Sequence, residues 1–318
     1  MRRRFRMPLV VGGLLVLTAP AALLPAWAQG SGPVAVPPPG AKVQALTAAD
    51  QRAVARYWTP ERMRRAVPIS LLVGRPARSP DRPPPAAGRL DFPHTGGLWT
   101  GGGAVARTTG RVFFTFRGVD AYCSGSAVAG ANRSTVITAG HCVKSQGTWH
   151  TNWVFVPGYR DGEQPYGVWT ARRTFATAQW SVLEDFGHDI GAAVVNALDG
   201  RRLVDVVGGQ GIAFHQPREQ NMYAFGYPVQ QPYTGQWLAY CSGRTFEVSP
   251  ISQAMGMPCN LTRGASGGPW LLHFDESSGT GVITSVNSLG LEASGSRYVF
   301  GPYFGESARL LYERAQHS

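Results

Sequence analysis

The chain has 318 residues, of which 43% are hydrophobic and 11% aromatic, a composition typical of a globular protein with a sizeable core. Its formal net charge is +11, but residues 99–318 carry 16 basic and 15 acidic side chains, so the excess lies in the N-terminal third. This distribution argues against a nucleic-acid-binding face on the main folded part, and no nucleic-acid partner is predicted.

The first 28 residues have the order of a secretory signal peptide. Four arginines among the first six residues precede an apolar run over 9–24, which is followed by the small-residue sequence Ala26-Trp27-Ala28. An uncleaved membrane anchor is the alternative, and it is disfavoured because the run is shorter than the ~20 residues that a spanning helix needs. We therefore predict cleavage after Ala28, a secreted extracellular protein and no stable membrane insertion.

Residues 29–98 are predicted to be a Pro/Ala-rich pro-segment or linker. The stretches 29–45 and 75–98 have the composition of linkers. Between them the sequence predicts a short helix with Thr47 or Asp50 as its N-terminal cap, and a solvated, partly disordered stretch is the alternative. A short ordered element between two flexible stretches, upstream of a secreted domain, suggests a pro-segment.

From residue 99 to 318 the sequence changes to short runs rich in β-branched and aromatic residues, such as RVFFTF and STVIT. Gly, Pro, Asn and Asp separate these runs, as is typical of short strands joined by turns. The pattern predicts an all-β domain, either a two-barrel unit or one large sandwich. At the end of the chain, Phe304, Ala308, Leu311 and Tyr312 recur at helical spacing and predict one amphipathic helix.

The chain has four cysteines, an even number that indicates disulfides in an oxidising compartment. Four cysteines allow three pairings, and sequence order favours Cys123 with Cys142 and Cys241 with Cys259. A zinc site is the alternative, but no C-x-x-C pair or H-x-x-x-H cluster accompanies the cysteines. We therefore expect two disulfides and no metal.

Two segments carry the residues that acyl transfer by a serine requires: a hydroxyl, a base and amide donors for an oxyanion. In RGASGGPW the glycines allow a tight turn that presents Ser266 and lets the amides of Gly264 and Ser266 converge. In STVITAGHCV a β-branched strand leads into His141. Each segment alone also fits an ordinary structural turn, so the indication of catalysis comes from the pair.

TAGHC followed far downstream by GASGGP resembles the chymotrypsin-like (trypsin family) serine peptidases. The similarity covers roughly residues 110–318 and is greatest to the secreted bacterial trypsin-like and glutamyl-endopeptidase-like branch. It implies two six-stranded antiparallel β-barrels with the active site between them, a C-terminal helix and a disulfide between the first two cysteines. It also implies His141 as general base, Ser266 as nucleophile, and the amides of Gly264 and Ser266 as the oxyanion hole.

The order of residues in this family places the third catalytic member between the base and the nucleophile. Asp189 begins an apolar strand, as the family's Asp-Ile-Ala-like pattern requires, and is expected to orient the imidazole of His141. Asp185 and Asp199 are the alternatives, in more polar contexts. Ala265 stands where many trypsin-like enzymes have the aspartate that pairs with a new N-terminus, so that activation switch is not expected.

Substrate preference in this family depends on one segment just before the nucleophile and another about 20 residues after it. No aspartate is placed to bind a basic side chain, and Thr284 stands where the glutamyl-specific enzymes use histidine. Neither preference is therefore predicted. The residues expected to border the substrate pocket are Asn260, Thr262, Arg263, Ser285, Val286 and Asn287.

We therefore expect a secreted serine endopeptidase that acts as a monomer on protein or peptide substrates and needs no cofactor. A catalytically inactive chymotrypsin-like binding module is the main alternative. A lipase or esterase would have a G-x-S-x-G elbow in an α/β chain with the histidine last, whereas here the histidine comes first. A wall-associated adhesin that uses the Pro-rich stretch is the third alternative.

Overall fold

The computed structural model of the protein describes residues 39–74, 92–248, 253–261, 263–293 and 296–318, which belong to one compact unit. The expected signal peptide over 1–28 and the expected pocket residue Thr262 lie outside the described residues. Within the described ranges, each helix is too short or too polar to span a bilayer.

Strands form most of the regular structure. In chain order they are β1 (Gly40–Val43), β2 (Val67–Pro68), β3 (His94–Leu98), β4 (Thr109–Phe116), β5 (Val119–Val128), β6 (Thr135–Thr138), β7 (Lys144–Ser145), β8 (Thr148–Trp149), β9 (Thr151–Pro157), β10 (Trp169–Ala176), β11 (Gly191–Val195), β12 (Gly211–Ile212), β13 (Asn221–Gly226), β14 (Ala239–Arg244), β15 (Phe246–Glu247), β16 (Ala254–Pro258), β17 (Pro269–Asp275), β18 (Thr280–Val286), β19 (Leu289–Ala293) and β20 (Ser296–Pro302). The helices are α1 (Ala48–Tyr57), α2 (Pro60–Arg65), α3 (Ile69–Leu72), α4 (Gly103–Thr108), α5 (Ala178–Leu183), α6 (Leu203–Val207) and α7 (Glu306–Gln316). Two 3-10 turns cover Gly140–Cys142 and Phe186–His188.

The first barrel closes from six antiparallel strands in the order β10, β11, β6, β5, β4 and β9, with β9 pairing back to β10. Side chains alternate across each strand, so β4 has two faces. Val112 and Phe114 belong to the main core, whereas Phe113 between them packs in a separate cluster with Trp58 and Met63. The N-terminal segment therefore covers one face of this strand.

The second barrel consists of β13, β14, β16, β17, β18 and β20 in two hydrogen-bonded parts. One ladder runs β18, β17, β13 and β14, and the other contains β16 and β20. β14 packs beside β16 and β18 beside β20, and the disulfide from Cys241 in β14 to Cys259 after β16 joins the two parts. The expected all-β fold of two six-stranded barrels is confirmed.

The remaining sequence expectations about disulfides and the last helix are also confirmed. Cys123 is bonded to Cys142, so both pairings follow sequence order. Helix α7 buries Ala308 and Leu311 and packs on β11. Phe304, expected on this helix, is buried but lies just before it, because the helix begins after its N-cap Gly305.

Part of the N-terminal segment is paired with the barrels. Helix α1 is confirmed, and the side chains of Thr47 and Asp50 form a reciprocal capping box at its start. The linker interpretation of 29–45 and 75–98 did not anticipate β1, which pairs with β10, or β3, which pairs with β14. These two strands depend on backbone hydrogen bonds to existing barrel strands, which composition alone does not reveal.

Candidate active site

His141 and Asp189 meet at the end of two neighbouring strands of the first barrel. His141 lies on the 3-10 turn after β6, and Asp189 lies just before β11, which is antiparallel to β6. Nδ1 of His141 is 2.7 Å from Oδ2 of Asp189, and the backbone N–H of His141 donates to Oδ1 at 2.8 Å. Both side chains are buried.

A third hydrogen bond reaches Asp189 from the second barrel, where Ser288 Oγ donates to Oδ2 at 2.5 Å. Burial alone would raise the pKa of Asp189, but the charge of His141 and the hydrogen bonds from His141 and Ser288 outweigh burial and lower it. Because the ionised carboxylate can only accept, the proton between the two side chains is on Nδ1 of His141. In its neutral form the imidazole therefore presents Nε2 as an acceptor.

Nε2 of His141 is buried and has no hydrogen-bond partner in the described part of the chain. The disulfide of Cys123 and Cys142 lies beside the imidazole, with a ring nitrogen and both sulfurs within 4.8 Å of one another. Cys142 Sγ is also 3.7 Å from the carbonyl oxygen of Ser266. The histidine and the serine loop therefore meet at this disulfide.

The glycines around Ser266 are required by the shape of its loop. Gly264 and Gly267 have φ angles of 96° and 80°, in the region that other residues rarely adopt. A Cβ on Gly264 would lie 2.5 Å from the Tyr122 hydroxyl, and one on Gly267 would lie 2.1 Å from Oγ1 of Thr138. The loop therefore keeps Ser266 close to β5 and β6 only if both glycines are present.

The amides of the Ser266 loop include two buried N–H groups that could serve as an oxyanion hole. The carbonyl of Arg263 accepts from the N–H of Val229 at 2.8 Å. Because the C=O and N–H of a trans peptide point in opposite directions, the N–H of Gly264 points away from Val229. Among the described residues, the N–H groups of Gly264 and Ser266 have no protein acceptor. Such a pair can stabilise an anionic oxygen.

Asn287, expected to border the substrate pocket, contacts the serine loop from inside the second barrel. Its Nδ2 donates to the carbonyls of Phe225 at 2.8 Å and Ala265 at 3.0 Å, and its Oδ1 accepts from Trp270 Nε1 at 2.7 Å. The N–H of Gly267 donates to the Asn287 carbonyl at 2.7 Å. Asn287 therefore fixes the loop on both sides of Ser266.

The other two expected residues of this wall are also internal. Ser285 and Val286 are fully buried, and Ser285 Oγ donates to the carbonyl of Pro302 at 2.8 Å. Sequence analysis missed Ser288, which follows this wall and contacts Asp189. The sequence signal for Ser288 was its position directly after the predicted pocket residues in SVNSLG. That position does not predict a contact with a carboxylate of the other barrel.

Two residues of the opposite wall, Asn260 and Arg263, are held by residues that precede them in the chain. Asn260 Oδ1 accepts from the Tyr233 hydroxyl at 2.6 Å. Arg263 is partly buried, which lowers the pKa of its guanidinium, and its Nη1 donates to the carbonyl of Ser70 in α3 at 2.9 Å. The structure therefore brings His141, Asp189 and the Ser266 loop together, and contacts with Tyr233 and Ser70 hold Asn260 and Arg263.

Comparison with curated proteins finds one relative that is named a protease. Over 183 residues the chain is 25% identical to the extracellular metalloprotease of Bacillus subtilis (strain 168), with 56% of this chain and 53% of that protein covered. The chain thus spans about half the length of this curated relative. No protein-family model matches the chain.

The donor set at the site does not fit a metal centre. In the part of the chain that the structure describes, the one group of three suitable ligand atoms comes from Cys123, His141 and Cys142. The two sulfurs are joined in a disulfide and are not the thiolates that bind metal ions.

Three solved structures that are similar to this chain carry the names of proteases. Protease Anisep from Arthrobacter nicotinovorans is 40% identical, with a TM-score of 0.62, over 67% of this chain and 96% of that one. The thermostable serine protease AL20 from an extremophilic microorganism is also 40% identical, with a TM-score of 0.63, over 68% of this chain and 99% of that one. A Glu endopeptidase at 16% identity and a TM-score of 0.56, over 71% and 98% of the two chains, shares the fold. The chain therefore belongs to the chymotrypsin-like serine peptidases.

Proposed function

We propose that the protein is a secreted serine endopeptidase that hydrolyses peptide bonds through an acyl-enzyme on Ser266. The observation that carries this proposal is the buried pair of His141 and Asp189, which leaves Nε2 of the imidazole as an acceptor beside the Ser266 loop. The protease names of the similar structures support it. The enzyme acts as a monomer on protein or peptide substrates without a cofactor.

In the proposed acylation step, Ser266 Oγ attacks the carbonyl carbon of the substrate while Nε2 of His141 takes its proton. The carbonyl oxygen becomes negative and accepts hydrogen bonds from the N–H groups of Gly264 and Ser266. Asp189 keeps the proton on Nδ1 and stabilises the imidazolium. His141 then protonates the leaving amine, the C–N bond breaks, and a water molecule repeats the sequence to release the acid.

A fluorophosphonate probe tests the nucleophile directly, because it phosphonylates an activated serine. The protein should be labelled after removal of its N-terminal segment, and Ser266→Ala should abolish labelling. Ser277→Ala is the matched control, since Ser277 is exposed on a hairpin turn and its hydroxyl bonds Asp275. An unlabelled wild-type protein would favour the inactive binding module, in which the same fold serves only to bind.

We also propose that residues 1–28 are a signal peptide and that 29–98 include a pro-segment of the peptidase domain 99–318. Burial of Trp58 and Met63 against the first barrel supports a segment that covers the enzyme before maturation. Since β3 pairs with β14, cleavage is expected before His94. N-terminal sequencing tests this, and a fully active secreted protein that still began near Gln29 would contradict it.

A further inference from the structure

The turn that carries His141 is held by ring N–H groups from outside the turn. His150 Nε2 donates to the backbone carbonyl of His141 itself at 2.9 Å. Trp153 Nε1 donates to the carbonyl of the next residue, Cys142, at 3.1 Å. Both donors lie close together in sequence, just before and within β9, and both side chains are buried.

The next two carbonyls are also bound. The backbone N–H of His150 donates to the Val143 carbonyl at 2.9 Å, and Trp180 Nε1 in α5 donates to the Lys144 carbonyl at 2.8 Å. Each of the four successive carbonyls from His141 to Lys144 therefore accepts a hydrogen bond. The donors are in β9, in the residue just before β9, or in α5. Three of the four donors are ring N–H groups of buried side chains.

The protonation of His150 follows from its partner. A carbonyl oxygen only accepts, so Nε2 carries the proton and Nδ1 does not. Nδ1 has no hydrogen-bond partner among the described residues, and the ring stacks on Phe114 with centroids 4.2 Å apart. Burial lowers the pKa of His150 to about 3, so the ring stays neutral in the pH range where a histidine base works.

Trp180 also contacts the turn through its ring. A Cβ on Gly140 would lie 2.5 Å from Trp180 Cγ, so the indole packs directly on the backbone before His141. The centroid of the indole is 6.2 Å from that of the His141 imidazole. A rigid aromatic ring therefore also limits movement of the turn.

We propose that His150, Trp153 and Trp180 are positioning residues for His141. Their N–H groups fix the backbone of the turn. The backbone in turn fixes the position of the imidazole between Asp189 and Ser266. The carbonyls of His141 and Cys142 lie on a 3-10 turn and accept from ring N–H groups, so the position of the turn depends on these side-chain donors. A small displacement of a catalytic group lowers the rate steeply. This inference rests on the peptidase function proposed above.

Substitutions that remove one N–H group and keep an aromatic ring test the proposal. We expect His150→Phe and Trp153→Phe each to lower kcat about tenfold with little change in KM. His150→Gln keeps an N–H donor at the same number of bonds from Cβ and should restore most of the rate. Trp169→Phe is the matched control, because its buried indole donates to the Tyr166 carbonyl at 2.9 Å, away from His141. It should leave kcat unchanged.

A spectroscopic measurement separates positioning from general stability and from the peptidase proposal. In a Ser266→Ala background, the downfield NMR signal of the His141 Nδ1 proton should shift or broaden with Trp153→Phe and not with Trp169→Phe. Thermal unfolding of both variants should change by similar amounts. This readout is independent of catalysis, so an unlabelled wild-type enzyme would overturn the proposed function without deciding the positioning role.

Two results would overturn the positioning role. One is a folded Trp153→Phe protein with wild-type kcat and an unshifted Nδ1 proton. The other is an equal loss of kcat in Trp153→Phe and the Trp169→Phe control. If His150→Phe does not fold, the comparison of the two tryptophan variants still decides the question.

Discussion

Two carboxylates close in sequence each bind a histidine, and burial distinguishes them. Asp185 accepts from Nδ1 of His188 at 2.8 Å, which copies the contact between His141 and Asp189 four residues later. Asp185 is about half exposed, whereas Asp189 is fully buried and also accepts from Ser288. The exposed pair is screened by water, so only the buried carboxylate is expected to act strongly on its histidine.

Asp189→Asn should lower kcat by about 10³- to 10⁴-fold, because an amide no longer favours the imidazole tautomer with its proton on Nδ1. Asp185→Asn should remain near the wild type. Turnover of a peptide substrate by both variants checks this, with circular dichroism to compare their folds. Equal losses in the two variants would mean that Asp189 has no special role.

At the scale of elements, the sequence predicted the helices that interactions between near neighbours in the chain stabilise. The capping pair Thr47 and Asp50 predicts α1, and the helical spacing of apolar residues predicts α7. Strand β1 has no such signal, because its stability comes from pairing with β10 more than a hundred residues away. The contact between Ser288 and Asp189 was missed for the same reason, since it joins segments of different barrels.

The two disulfides close loops of similar length but lie in different parts of the molecule. They span 19 and 18 residues, so loss of either is expected to reduce the free energy of unfolding by about 3 kcal/mol. The first bond also touches His141 and Ser266, whereas the second joins the two ladders of the second barrel. Alanine at both Cys123 and Cys142 should therefore lower kcat as well as stability.

Alanine at both Cys241 and Cys259 is the control for that experiment. It should lower stability by a similar amount and leave kcat close to the wild type. Urea unfolding and single-substrate kinetics, measured on the same preparations, check the two quantities. A wild-type kcat after loss of the first bond would show that the disulfide does not help to position the site.

On the scale of the whole molecule, the candidate site depends on contact between the two barrels. Ser124 in the first barrel donates through Oγ to the Gly264 carbonyl at 2.9 Å and accepts from the N–H of Tyr227 at 3.0 Å, both in the second half of the chain. The N–H of Ser124 donates to the Ser266 carbonyl at 2.7 Å. The motif pair predicted which residues meet, but no local pattern predicted that a buried serine would join the barrels.

The acid stability of the folded chain provides a test of burial at His150. In the unfolded chain a histidine has a pKa of ~6.5, whereas burial lowers the folded-state pKa of His150 to about 3. Between these values the unfolded state binds a proton that the folded state does not. The free energy of unfolding should therefore fall as pH falls below ~6.5, by up to about 1.4 kcal/mol per pH unit.

His150→Phe should remove this contribution and flatten the dependence of stability on pH between about 6.5 and 4. His317→Gln is the control, because His317 is exposed near the C-terminus, and it should retain the wild-type slope. Asp189 does not contribute to this slope above pH ~4. Its pKa is lowered, so its stabilising effect is lost only as pH falls below ~4. Urea unfolding from pH 7 to pH 4 measures the slopes, and a wild-type slope in His150→Phe would mean that His150 is not held neutral in the folded protein.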